Sequence, residues 1–371
     1  MFLKGGGRLI FLTAAQLRLF LMWFNKTAFF QGQEMAVSGD IMANLTLSIA
    51  VGDYDRNRAL FDGRVQIDGV DPVFMKLSPE EIFFRAFRTQ DFDICELSFS
   101  SYTVSTAQGS GHYIAIPAFL SRSFRHSSIY IRKGKGIGTP EDLRGKRIGI
   151  AEYQLTANVW ARALLEDDYG VKPSEIQWVR GGVGTPDRPE KIKLQLPDDV
   201  SIEVAPKGRS LDNMLVAGDL DGFIGPRNPP CYDEGNPDIV RLFPDLVGTA
   251  TAYYRRTGIF PIMHLLGLRK SLAESHPWLP GALFKAFNAS KNHAVDQLLD
   301  TAASHATIPF LAEHIEAAQA LLGQDYWSYG IEKNRAVLDN FLDHHHRQGL
   351  SSRRVTVDEL FHQGSREQFS V

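Results

Sequence analysis

Residues Thr139–Tyr169, TPEDLRGKRIGIAEYQLTANVWARALLEDDY, limit the fold more than any other stretch of the chain. Thr139 is placed to cap a short helical turn. Pro140 suits the first position of that turn, and Asp142 stands where a capping-box partner belongs. Gly145 closes the turn. Arg147–Ala151 then supplies a short buried strand with Ile148 and Ile150 on one face. Thr156 or Asn158 opens a helix whose Val159, Trp160, Ala163 and Leu164 share a face. A strand that feeds a helix through a short polar loop is the unit of an α/β protein. Free N–H groups at such a helix start can receive an anion.

The chain ahead of this unit reads the same way. Leu45, Leu47, Ile49 and Val51 alternate with smaller or polar residues, which is strand periodicity. The strand ends in the polar loop Gly52-Asp53-Tyr54-Asp55-Arg56. Ligands of open α/β sheets gather outside the carboxyl ends of strands, so Arg56 is a candidate contact. Residues 64–77 predict a second strand broken by a turn at Asp68-Gly69. Ser78-Pro79-Glu80-Glu81 starts a helix with Ile82, Phe83, Ala86 and Phe87 inward. Asp91–Leu97 is a further strand, and Glu96 sits at its end. A carboxylate there must be paired, protonated or useful. It either joins an arginine to hold two loops together or acts directly.

Ile114–Pro117 and Ser128–Arg132 read as strands, separated by a loop dense in donors. Arg122 and His126 lie in that loop, and an arginine can grip a carboxylate with two parallel hydrogen bonds. Gly181-Gly182-Val183-Gly184 lacks both the dinucleotide fingerprint and the P-loop lysine, so it implies no nucleotide. Gly222–Gly225 is a short strand, and Arg227 follows it among prolines that fix the backbone. His264 falls inside the apolar run Ile259–Leu268, as a satisfied core residue or a functional one. Helices occupy most of the chain beyond Pro280. His344, His345 and His346 are consecutive, splay around a helix and are expected at the surface, since zinc wants a spacing of three or four.

At 371 residues the chain has room for two domains. A net charge of −3 gives no broad basic field, which argues against nucleic acid as a partner. Two cysteines make neither a disulfide framework nor a metal cluster. Residues 1–41 do not resemble the rest. Arg18 splits their apolar run, which is too interrupted for a membrane span. They read as an extension ahead of a start at Met42, or else as a secretory signal cleaved near Ala36-Val37-Ser38. The first reading makes the protein cytoplasmic and the second periplasmic. The order of units predicts an α/β protein of two lobes, one from 42–138 and 250–371 and one from 139–249. Two crossings would join the lobes and a ligand cleft would lie between them.

GTPEDLRGKRIGIAE and AGDLDGFIG resemble type II periplasmic-binding-protein folds, the two-lobed solute-binding architecture. LSIAVGDYDR, FDICELSFSSY, PAFLSRSFRHSSIYI, PRNPP, GIFPIMH and WSYGIEKNR resemble, more specifically, the 4,5-dihydroxyphthalate decarboxylase family. The likeness runs from about Leu45 to Phe361. It implies non-oxidative loss of CO₂ from 4,5-dihydroxyphthalate, giving 3,4-dihydroxybenzoate, with no organic cofactor; no metal is expected, since no pair of histidines or acids shows ligand spacing on one face. Arg56, Arg122 and Arg227 would hold the dianionic substrate. His264 or His126 would move the proton, and Glu96 would orient the histidine or crowd the departing carboxylate. Two other classes stay open: a solute-binding protein feeding a transporter, and a metal-dependent enzyme. The helical C-terminal part offers a pairing surface for a homo-oligomer.

Overall fold

The structure is a computed structural model that describes residues 43–365 apart from 190, 193 and 195. The extension expected at residues 1–41 lies outside the described residues. The described chain forms β1 (Leu45–Val51), β2 (Val70–Lys76), β3 (Ile94–Ser98), β4 (Tyr113–Arg122), β5 (Ile129–Arg132), β6 (Arg147–Ile150), β7 (Gln177–Arg180), β8 (Ile202–Val204), β9 (Gly222–Ile224), β10 (Ile239–Arg241) and β11 (Ile262–Arg269). They build a five-stranded sheet in the order β2-β1-β3-β11-β4 and a six-stranded sheet in the order β10-β5-β9-β6-β7-β8.

In the first sheet β1 pairs parallel to β2 and β3, while β11 enters antiparallel between β3 and β4. In the second, β6 pairs parallel to β7 and β9, and β5 runs antiparallel to β9 and β10. Helices pack on both sheets, as parallel strands require, because each crossover must leave the sheet and return across its face. The Thr156–Tyr169 helix is the main tie between the two sheets. Trp160, 1% exposed, donates its indole N–H to the Ile262 carbonyl at 2.9 Å. Thr156 Oγ1 accepts the Ser100 N–H at 3.0 Å. The start of this helix therefore packs against the first sheet's helix Phe99–Ala107.

Local signals gave reliable boundaries. The Asp142 carboxylate accepts the Gly138 and Thr139 N–H groups at 2.9 and 2.8 Å, which completes the expected turn. Ser78 caps the Pro79–Arg88 helix, which buries Ile82, Phe83 and Ala86. Elsewhere tertiary pairing overrode the local reading. Residues 64–69 stay outside β2, and β4 runs on through Phe119–Arg122, where a loop is expected, because those residues pair with β11. Ile131 pairs with Gly222, so the change of sheet falls between Arg122 and Ile129, earlier than Gly138. His344 and His345 are buried, not superficial. Asp167 meets His344 at 2.7 Å, and Ser100 and Ser351 meet the two ring nitrogens of His345.

Candidate active site

A cleft of about 770 Å³ opens between the two sheets. Phe83, Ser121, Arg125 and His264 face it from the side of the first sheet. Leu155, Arg188 and Arg227 face it from the side of the second.

His264 stands opposite Ser98 on β3 and Ser121 on β4, and the β11–β4 ladder shifts register on both sides of it. Such irregularities re-aim a side chain out of the regular pleat. The imidazole meets the Phe83 ring edge-on, with centroids 4.8 Å apart. Its Nδ1 lies 2.5 Å from Glu96 Oε1. Glu96 is fully buried, yet it also accepts the Tyr54 hydroxyl at 2.7 Å and the Gly52 N–H at 3.0 Å. Burial alone would raise the carboxyl pKa. The hydrogen bond and charge of His264, with Tyr54 and the Gly52 N–H, outweigh it and hold Glu96 below its ordinary value. Glu96 therefore stays anionic, and its anion fixes the proton of His264 on Nδ1. That leaves Nε2 as the nitrogen available to the cleft, where His264 side-chain exposure is 18%. Burial first and the Glu96 charge second push the Tyr54 hydroxyl well above its usual pKa, so it remains a donor.

The cleft is cationic. Arg227 is exposed at its edge. Arg188 donates to Glu152 Oε1 from Nε at 2.9 Å and NH2 at 2.8 Å, and it also pairs with Glu80. Lys191 joins the same buried Glu152 oxygen at 2.8 Å. Arg125 differs from these. It is 8% exposed, and its partners are Met263 Sδ at 3.0 Å and Ser128 Oγ at 3.3 Å. Burial alone lowers its pKa to about 10, with no carboxylate to offset it.

Of the residues chosen from sequence, the structure places His264 and Arg227 in the lining of the cleft, with Glu96 buried behind His264. It does not bring Arg56, Arg122 or His126 there. Arg56 lies over the Tyr54 and Trp327 rings at 4.0 and 4.5 Å and donates from Nε to the Leu120 carbonyl at 2.8 Å. It ties the start of the Asp55–Phe61 helix to β4 and also pairs with Asp55. Arg122 is buried and donates to the carbonyls of Phe260 at 3.0 Å and Ser328 at 2.8 Å, and to Asn334. It ties β4 to the C-terminal segment. His126 packs edge-on against Phe243 and Tyr253, both at 5.2 Å, and neither ring nitrogen has a partner among the described residues. Burial, followed by the nearby Arg256 charge, lowers its pKa to about 4, so it stays neutral near pH 7. Sequence reasoning passed over Arg125, Arg188 and Lys191. Arg125 lies in the donor-rich loop already singled out, but only its place on the cleft, with neither a carboxylate nor a carbonyl among its hydrogen-bond partners, separates it from Arg122.

Among the described residues no group of histidine, cysteine and acidic side chains has the geometry of a metal site. No described helix is long and apolar enough to cross a membrane.

No family model matches the chain. It is 59% identical over 330 residues to the 4,5-dihydroxyphthalate decarboxylase of Comamonas testosteroni, covering 89% of this chain and 100% of that one. It is 58% identical over 221 residues to the 4,5-dihydroxyphthalate decarboxylase of Pseudomonas putida, covering 60% of this chain and 86% of that one. Among solved structures, a putative sulfonate ABC transporter's periplasmic sulfonate-binding protein from Methylobacillus flagellatus KT aligns with a TM-score of 0.50 at 13% identity. That alignment covers 86% of this chain and 92% of the other, and the likeness is one of fold. The architecture is the two-lobed type II periplasmic-binding-protein fold. With its sequence shared so closely along the full length of one relative, this chain belongs to the 4,5-dihydroxyphthalate decarboxylase family.

Proposed function

We propose that the protein removes CO₂ from 4,5-dihydroxyphthalate, or a closely related hydroxylated aromatic dicarboxylate, giving 3,4-dihydroxybenzoate. The observation that carries this reading is the His264–Glu96 pair held in the wall of a cationic cleft. The name shared by the two relatives supplies the substrate class.

The chemistry requires a proton donor aimed at a ring carbon. The departing carboxyl lies para to a hydroxyl. As that hydroxyl gives its proton to water, which returns it at the end of the cycle, electron density moves to the carbon bearing the carboxylate. His264, carrying a second proton on Nε2 besides the one held on Nδ1, delivers it to that carbon, and Glu96 steadies the imidazolium through Nδ1. The carbon–carboxylate bond then breaks. Its electron pair returns to the ring, CO₂ leaves, and aromaticity is restored. Over the cycle one proton is taken up for each CO₂ released. Arg227 at the cleft edge draws in the dianion. Phe83 lies against His264 and keeps that wall apolar, where charge on a departing carboxylate is poorly solvated. The reading puts the work in the cytoplasm, on a small soluble acid and without an organic cofactor.

Purified protein mixed with 4,5-dihydroxyphthalate should yield 3,4-dihydroxybenzoate and CO₂ in equal amounts. His264→Gln should keep substrate affinity within a few-fold and lose about 10²–10⁴ in kcat, the range for a lost general acid. Full turnover in that variant would remove His264 from the mechanism. A solute carrier would instead bind the acid and leave it unchanged.

A further inference from the structure

Arg125 takes no part in the mechanism above, and its position is costly. A guanidinium taken out of water needs anionic or polar partners on all of its N–H groups. Arg125 has a thioether and one hydroxyl. Its wall of the cleft is also that of His264, and its Nε donates to the sulfur of Met263, the residue just before His264. The segment that carries it, Arg125–Ser128, is a single tight turn between β4 and β5, where the chain passes from one sheet to the other. A largely buried guanidinium without a carboxylate partner, fixed on a short crossing and facing a cleft, has the form of an anion site.

We propose that Arg125 receives the carboxylate that the ring keeps, and so makes the enzyme specific for neighbouring pairs of carboxylates. The proposal rests on the decarboxylase reading for the identity of the ring. The charges decide which of the two carboxylates Arg125 takes. The departing group gives up its charge to the ring as CO₂ forms. A cation bound to it would stabilise the starting state more than the transition state and slow the reaction. The retained group keeps its charge throughout, so Arg125 can grip it fully at no kinetic cost.

A second consequence concerns the product, which has one carboxylate. To lose it as CO₂, the product would have to turn that group toward His264 and leave Arg125 buried and unpaired. Sites built to satisfy a polar group reject ligands that lack it by large factors. Arg125 thereby stops the reaction after one CO₂.

The test uses Arg125→Gln and Arg125→Lys in the full chain. Phthalate, which lacks the hydroxyls and so binds without turnover, is titrated calorimetrically. Affinity should fall about 100-fold in the Gln variant and about 10-fold in the Lys variant, which keeps the charge but loses the fork. The melting temperature should not drop in Arg125→Gln, because an unpaired buried charge is removed. In turnover, KM should rise with kcat held within a few-fold, the pattern of a contact made equally in ground and transition states. The ratio of kcat/KM for 4,5-dihydroxyphthalate over 3,4-dihydroxybenzoate should also fall. Unchanged phthalate affinity in both variants, or a fall in kcat at constant KM, would overturn the assignment. So would a rise in kcat in Arg125→Gln, since that would place the cation on the departing group. Should the Gln variant not fold, Arg125→Lys decides by the same readings. Wild-type protein that binds phthalate but releases no CO₂ from 4,5-dihydroxyphthalate would refute the decarboxylase reading and leave the anion site standing.

Discussion

Glu96 shows how a buried carboxylate is kept charged. Three donors reach it, and two of them, Tyr54 and Gly52, come from the loop after β1. Arg56 in turn lies on the Tyr54 ring. Arg56 therefore bears on the chemistry at second hand, as a prop for the tyrosine that props the glutamate. His126 illustrates the opposite case, a titratable ring kept neutral by its surroundings. Its folded pKa, about 4, lies below the ordinary 6.5, so the unfolded chain takes up a proton first as pH falls. Its contribution is intact above the unfolded value and is lost on acidification through pH 6.5 toward 4. Between about pH 7 and pH 5 that loss is about 2 kcal/mol. Urea unfolding of wild type and His126→Leu at both pH values checks it: the variant should lose less stability over this interval by about that amount. Equal losses would mean that His126 has an ordinary pKa.

At the level of elements, the centre of interest is β11. It brings His264 between β3 and β4, and it passes so close to β3 that Gly267 has no room for a side chain. A methyl group at that position would occupy the space of the fully buried Leu97. Gly267→Ala should cost about 1–3 kcal/mol, the usual range for overpacking, and should lower kcat by disturbing the ladder beside His264. Chemical denaturation and steady-state rates report the two effects separately. Elements with local signals were legible in the sequence: the alternation of β1, the Ser78 cap, and the turn closed on Asp142. Elements set by distant partners were not. The outer half of β4 looks like a loop until β11 pairs with it. His344 and His345 look solvated until Asp167, Ser100 and Ser351 are found beside them. The same limit applied to the site. His264 and Arg227, chosen by type and position, line the cleft, whereas Arg56 and Arg122 donate to carbonyls 64 to 206 residues away, which no local pattern announces. Arg125 stood beside them unselected, since isolation inside a fold leaves no mark on a linear pattern.

Across the whole molecule, the two sheets meet through charges as well as through the Thr156–Tyr169 helix. Arg188 reaches Glu80, at the start of a helix on the first sheet, and Glu152, just beyond β6 in the second. Glu152 is fully buried and depends on Arg188 and Lys191 for its charge balance. Arg188→Ala would leave it with Lys191 and the Gln154 amide and would cut the link to Glu80. Breaking a buried pair from one side typically costs about 3–5 kcal/mol. Stability measured in urea should fall toward that range, and kcat/KM should fall with it as the cleft loses a wall contact. Retained stability would show that Lys191 suffices.

The late arrival of β11 has a consequence for biosynthesis. Glu96 and His264 are 168 residues apart, and β3 and β4 are separated in space by a strand made long after both. While the ribosome is still working toward residue 262, β3 and β4 each present an open hydrogen-bonding edge, and Glu96 lacks its imidazole. Exposed edges of this kind invite pairing with other chains. The first sheet can therefore close only once β11, ending at Arg269 of 371 residues, has been made, and a chain cut short before β11 is expected to be both inactive and prone to aggregate.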